Sequence, residues 1–87
     1  MPTVFIPAQL RGLTSGQAQV EVAATTVAEA IAQLDEQFPG IRARLCQGEN
    51  LIPGLQVSVD DRFTRQGLSA RLQAASEVHF LPVIGGG

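Results

Sequence analysis

The sequence predicts an α+β roll: one mixed sheet of four to five strands, covered on one face by a single main helix. Three observations lead there. Apolar residues alternate with period two in TVFIP (3–7), QVEVA (19–23), LQVSV (55–59) and EVHFLPVI (77–84). Between the second and third of these runs the period becomes helical, over TTVAEAIAQLDEQF (25–38). The chain has 87 residues, enough for one domain with one small core. A lone helix after a hairpin and a sheet with an apolar side each have a face to bury, and packing one on the other satisfies both.

Each element follows from its residues. In the first strand Val4 and Ile6 share one face, and Thr3 and Phe5 the other. Residues 8–18 form a loop containing Gly12 and Gly16, and Val20 and Val22 then point inward from the second strand. Along the helix Val27, Ala30, Ile31, Leu34 and Phe38 fall on one stripe, with Glu29, Gln33, Asp35 and Glu36 mostly off it. Thr26 and Glu29 have the spacing of a capping box, and Pro39-Gly40 ends the helix. IRARLC (41–46) reads as one further short turn of helix. Leu55, Val57 and Val59 share a face of the third strand, and Asp60-Asp61 make a turn. Phe63 to Leu72 reads ambiguously, as a short edge strand and a turn. The last strand places Val78, Phe80 and Ile84 on one face. If the first and last strands are neighbours, their chain order makes them parallel. The sheet face away from the helix is then left to solvent or a partner.

Composition narrows the function. Apolar residues make up 45% of the chain, which argues against disorder. The net charge is −2, which argues against a nucleic-acid or anionic-membrane surface. The basic residues are six arginines, with no lysine. One cysteine cannot form an internal disulfide, no apolar run approaches a membrane span, and the N-terminus lacks a signal-peptide pattern. The expected location is the cytoplasm.

The chain closes on EVHFLPVIGGG. Glycine loses more backbone freedom on ordering than any other residue, and a terminus without an anchor frays. Gly85, Gly86 and Gly87 therefore add nothing obvious to the fold, and the expected organisation is one domain, 1–87, with a flexible tail at Gly85–Gly87. The element order, the length and the ending FLPVIGGG resemble the ubiquitin-like sulfur carriers of the MoaD/ThiS family over the whole chain. Within that family the likeness is greatest to the carriers used in cysteine synthesis. VFIPAQLR at the start, FPGIRARL after the helix and the aliphatic-Pro-Val-aliphatic run before the glycines carry it. The resemblance implies a β-grasp (ubiquitin-like) fold. It also implies a working diglycine, here Gly86-Gly87. The residue before that pair is often alanine or threonine in the family and is Gly85 here.

The implied chemistry suits these residue types. A C-terminal carboxyl group has a pKa of about 3.3–3.7, so at neutral pH it is an unreactive anion. The resemblance implies that an E1-like enzyme of the ThiF/MoeB type adenylates Gly87 with ATP. Sulfide or a persulfide then displaces AMP and leaves a thiocarboxylate, whose sulfur is nucleophilic as a thiolate is. The sulfur next passes to an acceptor enzyme in the synthesis of cysteine, molybdopterin, thiamin or a related metabolite. No cofactor is expected on this chain, since ATP is used by the activating partner. A tail of three residues reaches at most roughly 3.3–3.6 Å per residue into that partner, and a Cβ would widen it. The competing reading is a ubiquitin-like modifier, joined through Gly87 to lysines of other proteins.

Elsewhere the plain readings suffice. Cys46 is expected in or near the core, although Arg42 and Arg44 are close to it in sequence. His79 is expected on the sheet surface, and one histidine with one cysteine makes neither a metal site nor a triad. With no catalytic constellation, the protein is expected to be a substrate of enzymes rather than an enzyme. Docking of three side-chain-less residues loses roughly 1–2 kcal/mol of backbone entropy each, so the body must supply contact. The open sheet face offers Phe5, Leu81 and Val83 as a docking patch for the activating enzyme, with Phe5 beside His79 and Leu81.

Overall fold

A computed structural model of the protein describes residues 1–82, and Val83 to Gly87 lie outside the described residues. The strands are β1 (Thr3–Phe5), β2 (Gln19–Glu21), β3 (Cys46–Gln47), β4 (Asn50–Leu51), β5 (Leu55–Val59), β6 (Arg62–Phe63) and β7 (Glu77–Pro82). The helices are α1 (Val27–Gln37) and α2 (Ile41–Leu45). Five strands form one sheet in the order β2-β1-β7-β5-β6, while β3 and β4 make a separate small hairpin. β1 and β7 lie side by side and run parallel, as the chain order requires. The other pairs in the sheet are antiparallel.

The helix packs where the two periods meet. Val27, Ala30, Ile31 and Leu34 are all buried on α1, with Phe38 partly buried against the same cluster. Beneath them lie Val4, Ile6, Val20, Val22, Val57, Val78 and Phe80. Ile84, expected to complete this layer, is outside the described residues. Three features close the α1 entry. The Glu29 N–H donates to Thr26 Oγ1 at 3.1 Å. The Glu29 carboxylate accepts from both the N–H and the hydroxyl of Thr25, each at 2.8 Å. Thr25 thus takes the place that the capping-box spacing assigned to the Thr26 N–H. These bonds, with the charge of Arg71, hold the Glu29 carboxyl below its ordinary value.

The structure adds what the sequence pattern did not show. Cys46 leaves the helix and opens β3, and Gly48 at φ 64° begins the two-residue turn into β4. Ala8–Leu10 and Gly67–Ser69 are single 3₁₀ turns, and Leu10, Ala70 and Leu72 all enter the core. The ambiguous stretch after the third strand resolves into the two-residue β6, a loop and the Gly67–Ser69 turn. Among the described residues no helix is long and apolar enough to cross a membrane.

Candidate functional site

β7 is the strand that leads to the glycines, and it is held on both sides. Thr3, Val4 and Phe5 of β1 pair with Glu77, Val78 and His79. On the other side β5 follows it from Val59 opposite Val78 to Leu55 opposite Pro82. Glu77–His79 are thus flanked by β1, and Val78–Pro82 by β5, so the end of β7 is paired on the β5 side alone. Val78 and Phe80 anchor it in the core, and Glu77, His79 and Leu81 face away from the helix.

The start of β7 is tied by Asp60. Its carboxylate accepts from the Glu77 N–H at 2.8 Å and from the Ser76 hydroxyl at 2.8 Å, while its own N–H donates to the Glu77 carbonyl at 3.0 Å. Buried Ser76 in turn accepts from the Gln73 N–H at 2.8 Å. Asp60 and Asp61 both have positive φ, 52° and 68°, and form the tight two-residue turn from β5 to β6. The sequence reading assigned them turn chemistry only. Asp60 also fixes the strand that carries the tail, and period-two spacing cannot signal such a contact.

The expected patch residues separate as follows. Phe5 is half-buried on the open face and stacks on His79, with ring centroids 4.1 Å apart and planes 10° apart. Leu81 is 39% exposed on the same face, one row further along β7 and opposite Gln56. Neither lies under the helix. Val83, Gly85, Gly86 and Gly87 fall outside the described residues. Phe63, which is not among the expected patch residues, lies opposite Ser58 and so joins this face, 61% exposed. A two-residue turn at Asp60-Asp61 followed by one step of the strand period places it there. At the end of β7 a groove of about 360 Å³ opens between the Pro7–Gln9 turn and the segment from Ile52 to Leu55, with Phe80, Leu81 and Pro82 along its side.

Other candidate groups are quiet. Cys46 is buried, and burial pushes its thiol up in pKa against the opposing pull of Arg42. A thiol so placed is a poor nucleophile. His79 Nε2 lies 3.9 Å from Glu77 Oε1, a contact that becomes ionic only when the imidazole is protonated. Among the described residues no three His, Cys, Asp or Glu side chains gather as a metal site would need.

A five-stranded mixed sheet with parallel first and last strands adjacent, and one long helix across one face, defines a ubiquitin-like β-grasp protein. Solved structures of that class superpose closely. The CysO chain in the BexX/CysO complex of Amycolatopsis orientalis matches with a TM-score of 0.90 and 36% identity, covering 100% of both chains. CysO of Mycobacterium tuberculosis, described as an antigen, matches at 0.88 and 29% identity, covering 97% of this chain and 100% of its own. Small archaeal modifier protein 1 of Methanosarcina acetivorans, at 0.78 and 19% identity over 99% of this chain and 95% of its own, shares the fold. No curated protein matches the chain by sequence. The model of the ThiS family matches residues 4–87, so the chain belongs to the ThiS family of ubiquitin-like sulfur carriers.

Proposed function

We propose that this carrier holds its sulfur as a thiocarboxylate on Gly87 and delivers it through the Gly85–Gly87 tail. The observation that carries the reading is the family match, which runs through residue 87 and so includes the three glycines. The position of β7 supports it, because this strand is anchored between β1 and β5 at its start and stays paired with β5 as far as Pro82. On this reading the chain is a co-substrate, with Gly87 the reacting residue and Gly86 its neighbour in the partner's channel. An E1-like adenylating enzyme of the ThiF/MoeB type binds it and spends ATP. The Gly87 carboxylate attacks the α-phosphorus, pyrophosphate leaves, and an acyl-adenylate forms. Sulfide attacks the acyl carbon, the bond to AMP breaks, and the thiocarboxylate remains. With a persulfide as donor, a second thiol cleaves the sulfur–sulfur bond and becomes part of a disulfide. The downstream partner is a sulfur-acceptor enzyme, and the likeness to two CysO proteins supports cysteine synthesis as the destination.

Phe5, Leu81 and Val83 serve as the docking patch for the activating enzyme. The stacked Phe5 and the exposed Leu81 on the helix-free face support this assignment. The protein works in the cytoplasm, where its partners and ATP are available. Deletion of Gly87, or a bulky residue added beyond it, is expected to abolish adenylation while far-UV circular dichroism and the melting temperature stay unchanged. Sulfur acceptance by the shortened protein contradicts the assignment. Conjugates to lysines of other proteins favour the modifier reading instead.

A further inference from the structure

The groove at the end of β7 has its cause in the two strands beside it. β1 pairs with β7 as far as Phe5 opposite His79. The bond from the Thr3 N–H to the Ser76 carbonyl sets the ladder's pattern, in which the next donor after Phe5 would be residue 7. That residue is Pro7, which has no N–H. The chain turns away there into the Ala8–Leu10 turn, whose Leu10 enters the core. On the other flank β5 starts at Leu55, after Pro53 and Gly54, and Gly54 takes φ 84° to bring the chain in from the side. Both neighbours therefore diverge where β7 ends, and the groove of about 360 Å³ opens in line with the strand.

Its walls are apolar and stiff. Pro7, Pro53 and Pro82 have φ fixed by their rings. Among the described residues that line it, Gln9 is the one with a polar side chain, and none is charged. Prolines also offer no backbone donor, so the groove suits an inserted side chain better than an added strand. Phe80 and Leu55, which pack with the core, complete the apolar lining. The chain supplies a matching occupant. Of the residues that follow Pro82, Val83 and Ile84 carry side chains and Gly85 to Gly87 carry none. Period two puts position 84 in series with Val78 and Phe80, both buried. It lies two steps of roughly 3.3 Å beyond Pro82, where the groove opens.

We infer that this groove is the seat of the chain's own Ile84, so that the free arm of the protein begins at Gly85. Val83, of opposite phase, keeps to the open face with Leu81. The seat follows from the shape of the body; its use rests on the reading of Gly87 as the sulfur site. Three glycines beyond a fixed point reach about 10 Å, at roughly 3.3–3.6 Å each. With Ile84 already held, two fewer residues lose their freedom when the arm enters an enzyme, which favours binding. Ile84 is on this account a positioning residue: it sets where the arm starts and touches no reacting atom.

The test is NMR on the full-length protein, followed by ATP–pyrophosphate exchange with a purified ThiF/MoeB-type adenylating enzyme of the same organism. Nuclear Overhauser contacts are expected from the Ile84 methyls to the Phe80 ring and the Leu55 methyls. The amide order parameter is expected to be about 0.85 at Ile84 and to fall below about 0.6 at Gly86 and Gly87. Ala8→Trp, at an exposed wall position, fills the groove and leaves the tail sequence intact. It is expected to abolish those contacts and to make Ile84 as mobile as the glycines. In the exchange assay Ala8→Trp and Ile84→Ser are each expected to raise the carrier's KM several-fold with kcat little changed, and Ile84→Val to keep the wild-type KM. An Ile84 as mobile as the glycines in the wild type, without contact to Phe80 or Leu55, overturns the seat. An ordered Ile84 with wild-type KM in both Ala8→Trp and Ile84→Ser overturns its role in positioning the arm. A wild-type protein that shows the seat by NMR and is never adenylated refutes the Gly87 reading and leaves the seat standing.

Discussion

At the scale of single residues, Asp60 does the most that its position in the sequence does not suggest. It adopts φ 52° in the turn and makes three hydrogen bonds to Ser76 and Glu77. Two of these are made by the carboxylate and are lost in Asp60→Ala; at roughly 0.5–1.5 kcal/mol net each, the substitution is expected to cost about 1–3 kcal/mol. Asp60→Asn keeps a carbonyl acceptor and the tolerance of left-handed backbone, and its cost should be clearly smaller. Urea denaturation of both variants checks this, and an Asp60→Ala protein as stable as the wild type would show that the carboxylate bonds are unimportant. Asp60-Asp61 was legible as a turn because the dipeptide interrupts an alternating run. Its bond to Ser76, sixteen residues away, was not, since nothing local encodes a contact made when two strands come together. The fate of Cys46 was legible for a simpler reason: a free cysteine is among the residue types most often buried as a small apolar side chain, and it is buried.

At the scale of elements, α1 was readable because eleven residues repeat the helical period about three times, whereas β3 and β4 have two residues each and no alternation to detect. The Gly48 turn was the available signal for that hairpin. The α1 entry carries a pH-dependent component. Glu29 is held below the ordinary glutamate value of 4.5, first by its backbone bond to Thr25. A depressed carboxyl stabilises the fold fully above its unfolded value, and that contribution is lost as the pH falls through the folded one. The melting temperature of the wild type is therefore expected to exceed that of Glu29→Gln by a margin present at neutral pH. The margin should shrink on acidification below the ordinary value of 4.5. A difference that stays constant from neutral to strongly acidic pH would exclude an ionised Glu29 as its cause.

At the scale of the whole molecule, one face of the sheet packs on α1 and the other stays open. Leu34 and Phe80 belong to the single buried cluster that joins α1 to β7. Truncation of either to alanine is expected to cost about 2–5 kcal/mol, a large share of what a domain of this size has. Chemical denaturation would measure it, and a loss under ~1 kcal/mol would mean that the cluster is not the main support of β7. The phases of β1, β2, β5 and of β7 as far as Pro82 were legible, because a slip of one residue exchanges the two faces. The place of Phe63 on the open face was not, since it joins that face only once β6 is paired with β5. The central claim is that Gly87 is the sulfur site, and intact mass spectrometry tests it most directly. The protein is incubated with ATP, sulfide and its adenylating enzyme. The account predicts a mass gain of one oxygen-for-sulfur exchange, confined to a C-terminal fragment containing Gly87 and absent without ATP. An unchanged mass, or sulfur recovered on any other residue, contradicts it.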